Sequence, residues 1–69
     1  MDAMISLDNG LTHTAIADLT EEQAKHAESA LPHDADLYAA AEGDGPMTSW
    51  LSRYALACHR THGHWPVIG

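Results

Sequence analysis

The 69-residue chain alternates short apolar runs with polar punctuation, and the spacing changes from strand-like at the two ends to helix-like in the middle. Met4-Ile5-Ser6-Leu7 is a brief apolar run followed by Asp8-Asn9-Gly10. Asn-Gly favours a tight hairpin turn because both residues accept positive φ. Two continuations are open: Leu11–Thr14 as the returning strand, or a simple turn here that runs into Ala15–Leu19 as a loop or helical turn. Thr20-Glu21-Glu22-Gln23 reads as a helix start: Thr20 is a cap, Gln23 stands at the capping-box position, and two acids occupy the first turn. Ala24, Ala27 and Leu31 recur at helical spacing and are expected in the core, with Glu21, Lys25 and Glu28 on the opposite face. Leu31-Pro32 ends this helix, since a residue before proline is pushed out of the α region.

A second, shorter helix is predicted after Asp34, its expected cap, with Leu37, Tyr38 and Ala41 on its apolar side and Gly43 in the left-handed position beyond its last turn. A third begins at Pro46 or Thr48 and carries the clearest stripe: Trp50, Leu51, Tyr54, Ala57 and Cys58. Leu56 falls off that stripe. Gly63 ends the helix, and Trp65-Pro66-Val67-Ile68 reads as a last short strand at a sheet edge. Unpaired strands leave backbone groups unsatisfied, so the two ends are expected to pair with each other. The expected fold is α+β: a small two- or three-stranded sheet formed by the chain ends, packed against three short helices, with residues 1–69 forming a single compact domain.

Composition narrows the functional classes. Ten carboxylates face three fixed cations, Lys25, Arg53 and Arg60, for a net charge of −7. Nucleic-acid binding relies on Lys and Arg neutralising phosphates, so this balance argues against it and against anionic membranes. It favours basic protein partners. No run approaches the ~20 apolar residues of a membrane span, the N-terminus lacks the pattern of a secretion signal, and a lone cysteine, Cys58, offers no internal disulfide. These features point to a reducing, cytoplasmic setting.

Candidate chemistry is sparse. Cys58, His62 and His64 have spacings that zinc could use, but a second ligand pair is missing and Cys58 lies on the apolar stripe, so no metal and no cofactor are expected. A nucleophile would need a base and an orienting group beside it, and no local pattern supplies them. A chain this short is also not expected to carve a pocket of roughly 300 Å³ or more. No catalytic residue is assigned and the chain is expected not to be an enzyme. Full protonation of the six histidines would move the net charge from −7 to −7 + 6 = −1. Charge-driven binding is therefore expected to weaken between about pH 7.5 and 5.5.

The acids are unevenly placed. Asp18, Glu21, Glu22, Glu28, Asp34, Asp36, Glu42 and Asp44 fall between positions 18 and 44, ahead of both arginines. They are the candidate partner-binding residues, and they predict a one-sided negative surface that a nucleic-acid-binding protein could accept as a decoy. An alternative contact surface is an apolar patch around Trp50, Tyr54 and Trp65.

The Ile5-Ser6-Leu7-Asp8-Asn9-Gly10 start, the Trp50-Leu51…Tyr54 helix and the Val67-Ile68-Gly69 end resemble small phage and mobile-element proteins. In size, acidity and layout the chain is similar to type I anti-CRISPR proteins, in particular those acting on type I-C systems. The resemblance covers both ends, rests on strand and helix signals, and carries over no active-site residues. It implies a monomeric, DNA-mimicking inhibitor in the bacterial host cytoplasm. Such a protein would occupy a basic surface of a Cascade complex, on the large PAM-reading subunit, and block target DNA.

Overall fold

A computed structural model describes residues 2–69. Strand β1 (Met4–Ile5) pairs antiparallel with β2 (Thr14–Ala15), Met4 opposite Ala15 and Ile5 opposite Thr14. Asn9 and Gly10 lie on the axis of this register and both take positive φ, 60° and 90°, as a hairpin turn of the primed type requires. The turn lies where the Asn-Gly pair predicts it, but the ladder does not extend from it. The returning strand is Thr14–Ala15, so of the Leu11–Thr14 run only Thr14 belongs to it, and Leu11 is 85% exposed. Two interactions divert the chain. Asp8 accepts hydrogen bonds from the Thr12 amide and hydroxyl and from the Ser6 hydroxyl, which folds residues 8–12 into a closed loop. Ser6 then pairs with the C-terminal segment: its amide donates to the Pro66 carbonyl (3.0 Å) and its carbonyl accepts from the Ile68 amide (2.9 Å).

The chain ends therefore meet, as expected, but through one parallel bridge between Ser6 and Val67, and residues 65–68 form no strand of their own. The fold is α+β, a two-stranded sheet with three helices.

After β2 a short 3-10 turn (Ile16–Asp18) leads into α1 (Glu21–Ala30). The capping box forms in both directions: the Gln23 amide donates to Thr20 Oγ1 at 3.1 Å, and the Thr20 amide donates to Gln23 Oε1 at 2.9 Å. Leu31 leaves the helix in extended conformation ahead of Pro32. Helix α2 (Ala35–Ala41) is capped by Asp34, which accepts from the Asp36 and Leu37 amides. Helix α3 (Met47–His62) ends at Gly63 with φ 78° and ψ 9°, the left-handed cap.

Both α1 and α2 pack against α3. The core joins Ile5 and Ile16 from the sheet side, Leu19, Ala24, Ala27 and Leu31 around α1, and Leu37 and Ala41 from α2 to Leu51, Tyr54, Ala55, Ala57 and Cys58 of α3. Ala55, absent from the expected stripe, is fully buried, so the apolar face of α3 is wider than that stripe. Among the described residues, no helix is long and apolar enough to cross a membrane.

Candidate functional site

Helix starts and loops position most of the eight acids between residues 18 and 44. Glu21 and Glu22 stand exposed in the first turn of α1, where the helix dipole favours anions. Asp36 is exposed at the start of α2. Glu42 and Asp44 are exposed where α2 gives way to the loop before α3, and Asp18 is exposed at the end of the 3-10 turn. Asp34 and Glu28 differ from these six. Asp34 is half-buried and its carboxylate is engaged in capping α2. Glu28 is half-buried near Tyr38; burial, and then the Glu28 charge, raise the Tyr38 phenol above its ordinary pKa.

Two fixed cations interrupt this surface. On α1, Lys25 lies between Glu21 and Glu28 on one face, since positions i, i+4 and i+7 align. Arg53 is expected to stand apart on α3, but it reaches across to α2. Its Nε donates to the Ala41 carbonyl at 2.8 Å, closing the C-terminus of a helix that no other side chain caps there. Its guanidinium lies so close to Gly43 that a Cβ there would sit 3.0 Å from Cζ. Gly43 is thus required, but not in the expected conformation: φ is 153°, and Glu42 before it is extended. Arg53 consequently stands beside the segment that carries Glu42 and Asp44, as Lys25 stands beside Glu21 and Glu28, and neither cation is on the α2 turn that carries Asp36.

The aromatic residues proposed as an alternative surface separate into two groups. Tyr38, Trp50 and Tyr54 pack together, with ring centroids 5.1 Å (Tyr38–Trp50), 5.4 Å (Trp50–Tyr54) and 5.9 Å (Tyr38–Tyr54) apart, and His33 stacks on Tyr38 at 5.0 Å. Tyr54 is buried and its hydroxyl donates to the Pro32 carbonyl. Trp65 instead lies on His59 at 4.3 Å, beyond the other end of α3. About 18 Å of helix axis separates Trp50 from His62.

Around Cys58 the groups are arranged for packing. The thiol is buried and donates to the His64 carbonyl at 3.5 Å, and the His64 ring lies against the Trp65 carbonyl and the His62 ring. Burial, and then the Asp34 charge, raise the thiol pKa above its ordinary value. Among the described residues, no three His, Cys, Asp or Glu side chains converge as a metal site.

The chain does form a cavity larger than its length suggests. An open groove of about 370 Å³ lies between the N-terminal segment, β2 with the 3-10 turn, and α3, and is lined by Asp2, Ala3, Ala15, Ala17, Asp18, Ser52 and Leu56. The small alanine side chains on one wall leave the space, and the lining pairs no nucleophile with a histidine. Comparison with protein-family models, curated proteins and solved structures found no match.

Proposed function

We propose that this chain is a non-enzymatic inhibitor that binds a basic nucleic-acid-binding surface of another protein and competes with the nucleic acid for it. One observation carries the reading: of the eight carboxylates between residues 18 and 44, six stand exposed, and the only Lys or Arg within that stretch is Lys25. Glu21 and Glu28 lie seven positions apart on α1, about 10.5 Å along its axis, close to three base-pair steps of duplex DNA at about 3.4 Å each. Opposite charge would speed association and make it salt-sensitive. On the resemblance to type I anti-CRISPR proteins, the partner we propose is a Cascade complex, engaged at its large PAM-reading subunit in the bacterial cytoplasm, with the inhibitor acting as a monomer.

The test is binding of the purified chain to immobilised type I-C Cascade, with and without target duplex. The wild-type chain is expected to be displaced by the duplex and to lose more than tenfold in affinity between about 0.1 and 0.5 M NaCl, as screening shortens from ~10 Å towards ~4 Å. Replacing Glu21, Glu22 and Asp36 together by lysine is expected to weaken binding at least tenfold. Asp34 is left intact because its substitution would uncap α2. A charge-reversed chain that binds and competes like the wild type refutes the reading.

A second reading, docking through an aromatic face, has one specific observation in its favour. Tyr38 and Trp50 are only half-buried and His33 is exposed, so the His33–Tyr38–Trp50 group leaves part of its aromatic surface uncovered. Such a surface would use Tyr38 and Trp50 rather than Tyr54 and Trp65, and its binding would survive 0.5 M NaCl, at a screening length of about 4 Å.

A further inference from the structure

The groove between the N-terminal segment and α3 has a composition that points to one kind of occupant. Its apolar part is made by Ala3, Ala15, Ala17 and Leu56, and its polar part by Asp2, Asp18 and Ser52. Leu56 is 39% exposed, although Ala55 and Ala57 on either side of it are buried. Asp2 and Asp18 are both exposed, and none of Lys25, Arg53 and Arg60 lines the groove to neutralise them. The walls are tied together, because the Ile16 amide donates to the Ala3 carbonyl at 3.0 Å. Ser52 and Leu56, one turn apart, face the groove from the same side of α3.

An apolar floor beside two carboxylates, with no Lys or Arg among the described residues that line it, matches a long basic side chain, whose methylene stem prefers apolar surface while its charged head remains among polar groups. At about 370 Å³ the space is at the small end of ligand sites. We propose that this groove binds an arginine or lysine side chain of a partner protein, with the stem along Leu56 and the cationic head at Asp2 and Asp18. This contact shares Asp18 with the acidic stretch but uses none of Glu21, Glu22 and Asp36, on which the test of the inhibitor reading rests.

The experiment is a titration of the 15N-labelled full chain with an acetylated, amidated Gly-Arg-Gly peptide, followed by amide chemical shifts. The same peptide with citrulline in place of arginine keeps the shape and removes the charge. The arginine peptide is expected to give saturable shifts confined to Asp2, Ala3, Ala15–Asp18, Ser52 and Leu56, with millimolar affinity. The citrulline peptide is expected to bind at least fivefold more weakly. D2N/D18N should reduce affinity at least fivefold and L56A two- to threefold, each with an otherwise unchanged spectrum. Equal binding of the two peptides overturns the proposal. So do shifts that are absent, or that spread equally to Glu21, Glu22 and Asp36. The peptide comparison uses the wild-type chain and requires no Cascade complex, so its result stands whether or not the inhibitor reading fails.

Discussion

Arg53 offers the sharpest test of how this small fold is held together. Replacing it by methionine keeps the aliphatic stem and removes the donor that closes α2. The lost interaction is a hydrogen bond from a charged group, worth about 1.5–3 kcal/mol, to the carbonyl of Ala41, a residue with no exposed surface. A buried acceptor left without a partner places the cost in the upper part of that range, about 2–3 kcal/mol. A core of this size supplies only about 3–5 kcal/mol in all. Arg53→Met should therefore leave about 1–2 kcal/mol, with roughly one molecule in ten unfolded at 25 °C.

Gly43→Ala provides the second side of a double-mutant cycle. The new Cβ would meet the guanidinium at 3.0 Å, so the side chain must give way by a few tenths of an ångström and its bond to Ala41 weakens, in addition to the strain of about 1–3 kcal/mol for an alanine at this positive φ. With Arg53 already replaced, only the conformational cost remains, so the two effects should fall short of additivity by about 1 kcal/mol. Urea unfolding monitored by the fluorescence of Trp50 and Trp65 together and by far-UV circular dichroism measures all four corners. Arg53→Met within 0.5 kcal/mol of the wild type at unchanged m-value, or strict additivity, would refute the role assigned to this side chain.

Thr20→Ala should destabilise the chain by about 1 kcal/mol, while Thr20→Ser should be close to neutral, read from the same urea midpoints. Hydrogen bonds from the Thr12 hydroxyl and amide hold the Asp8 carboxyl at about 2, below its ordinary 3.8. Its contribution to stability is therefore complete above about pH 3.8 and lost as pH falls through about 2; an acid titration of Asp8→Asn should lack that component. The Cys58 thiol, raised by burial, should resist an aromatic disulfide reagent at about pH 8 and react in seconds once guanidinium unfolds the chain. A native thiol that reacts as fast as a free one would contradict its buried placement.

The parts of the fold that were legible in advance are those determined by neighbours in sequence. Thr20 with Gln23, Asp34 with the two amides after it, Pro32 and Gly63 all act within four residues, so spacing alone locates them. What escaped depends on contacts across the fold. The exchange of β1 from β2 to the C-terminal segment at Ser6, the reach of Arg53 to Ala41, and the separation of Trp65 from Trp50 are set by how helices dock. No periodicity carries that information. Leu56 lay between the two cases: its departure from the stripe was visible, but the groove beside it needs the N-terminal segment and the 3-10 turn in place. The acids were visible as a list, whereas the engagement of Asp34 in a cap and the position of Lys25 and Arg53 among the others depend on the folded chain.

The bridge between Ser6 and residues 66–68 also determines when the second edge of β1 can be closed. Ser6 donates one backbone hydrogen bond to Pro66 and accepts another from Ile68, partners about sixty residues away in sequence. During synthesis the first strand emerges long before its second partner. The helices, whose hydrogen bonds are local, have the earlier opportunity to form. Until Ile68 clears the ribosome, the Ser6 backbone and the Asn9 amide lack their native partners. A nascent chain in that interval presents the second edge of β1 unpaired, and residues 66–68 close it.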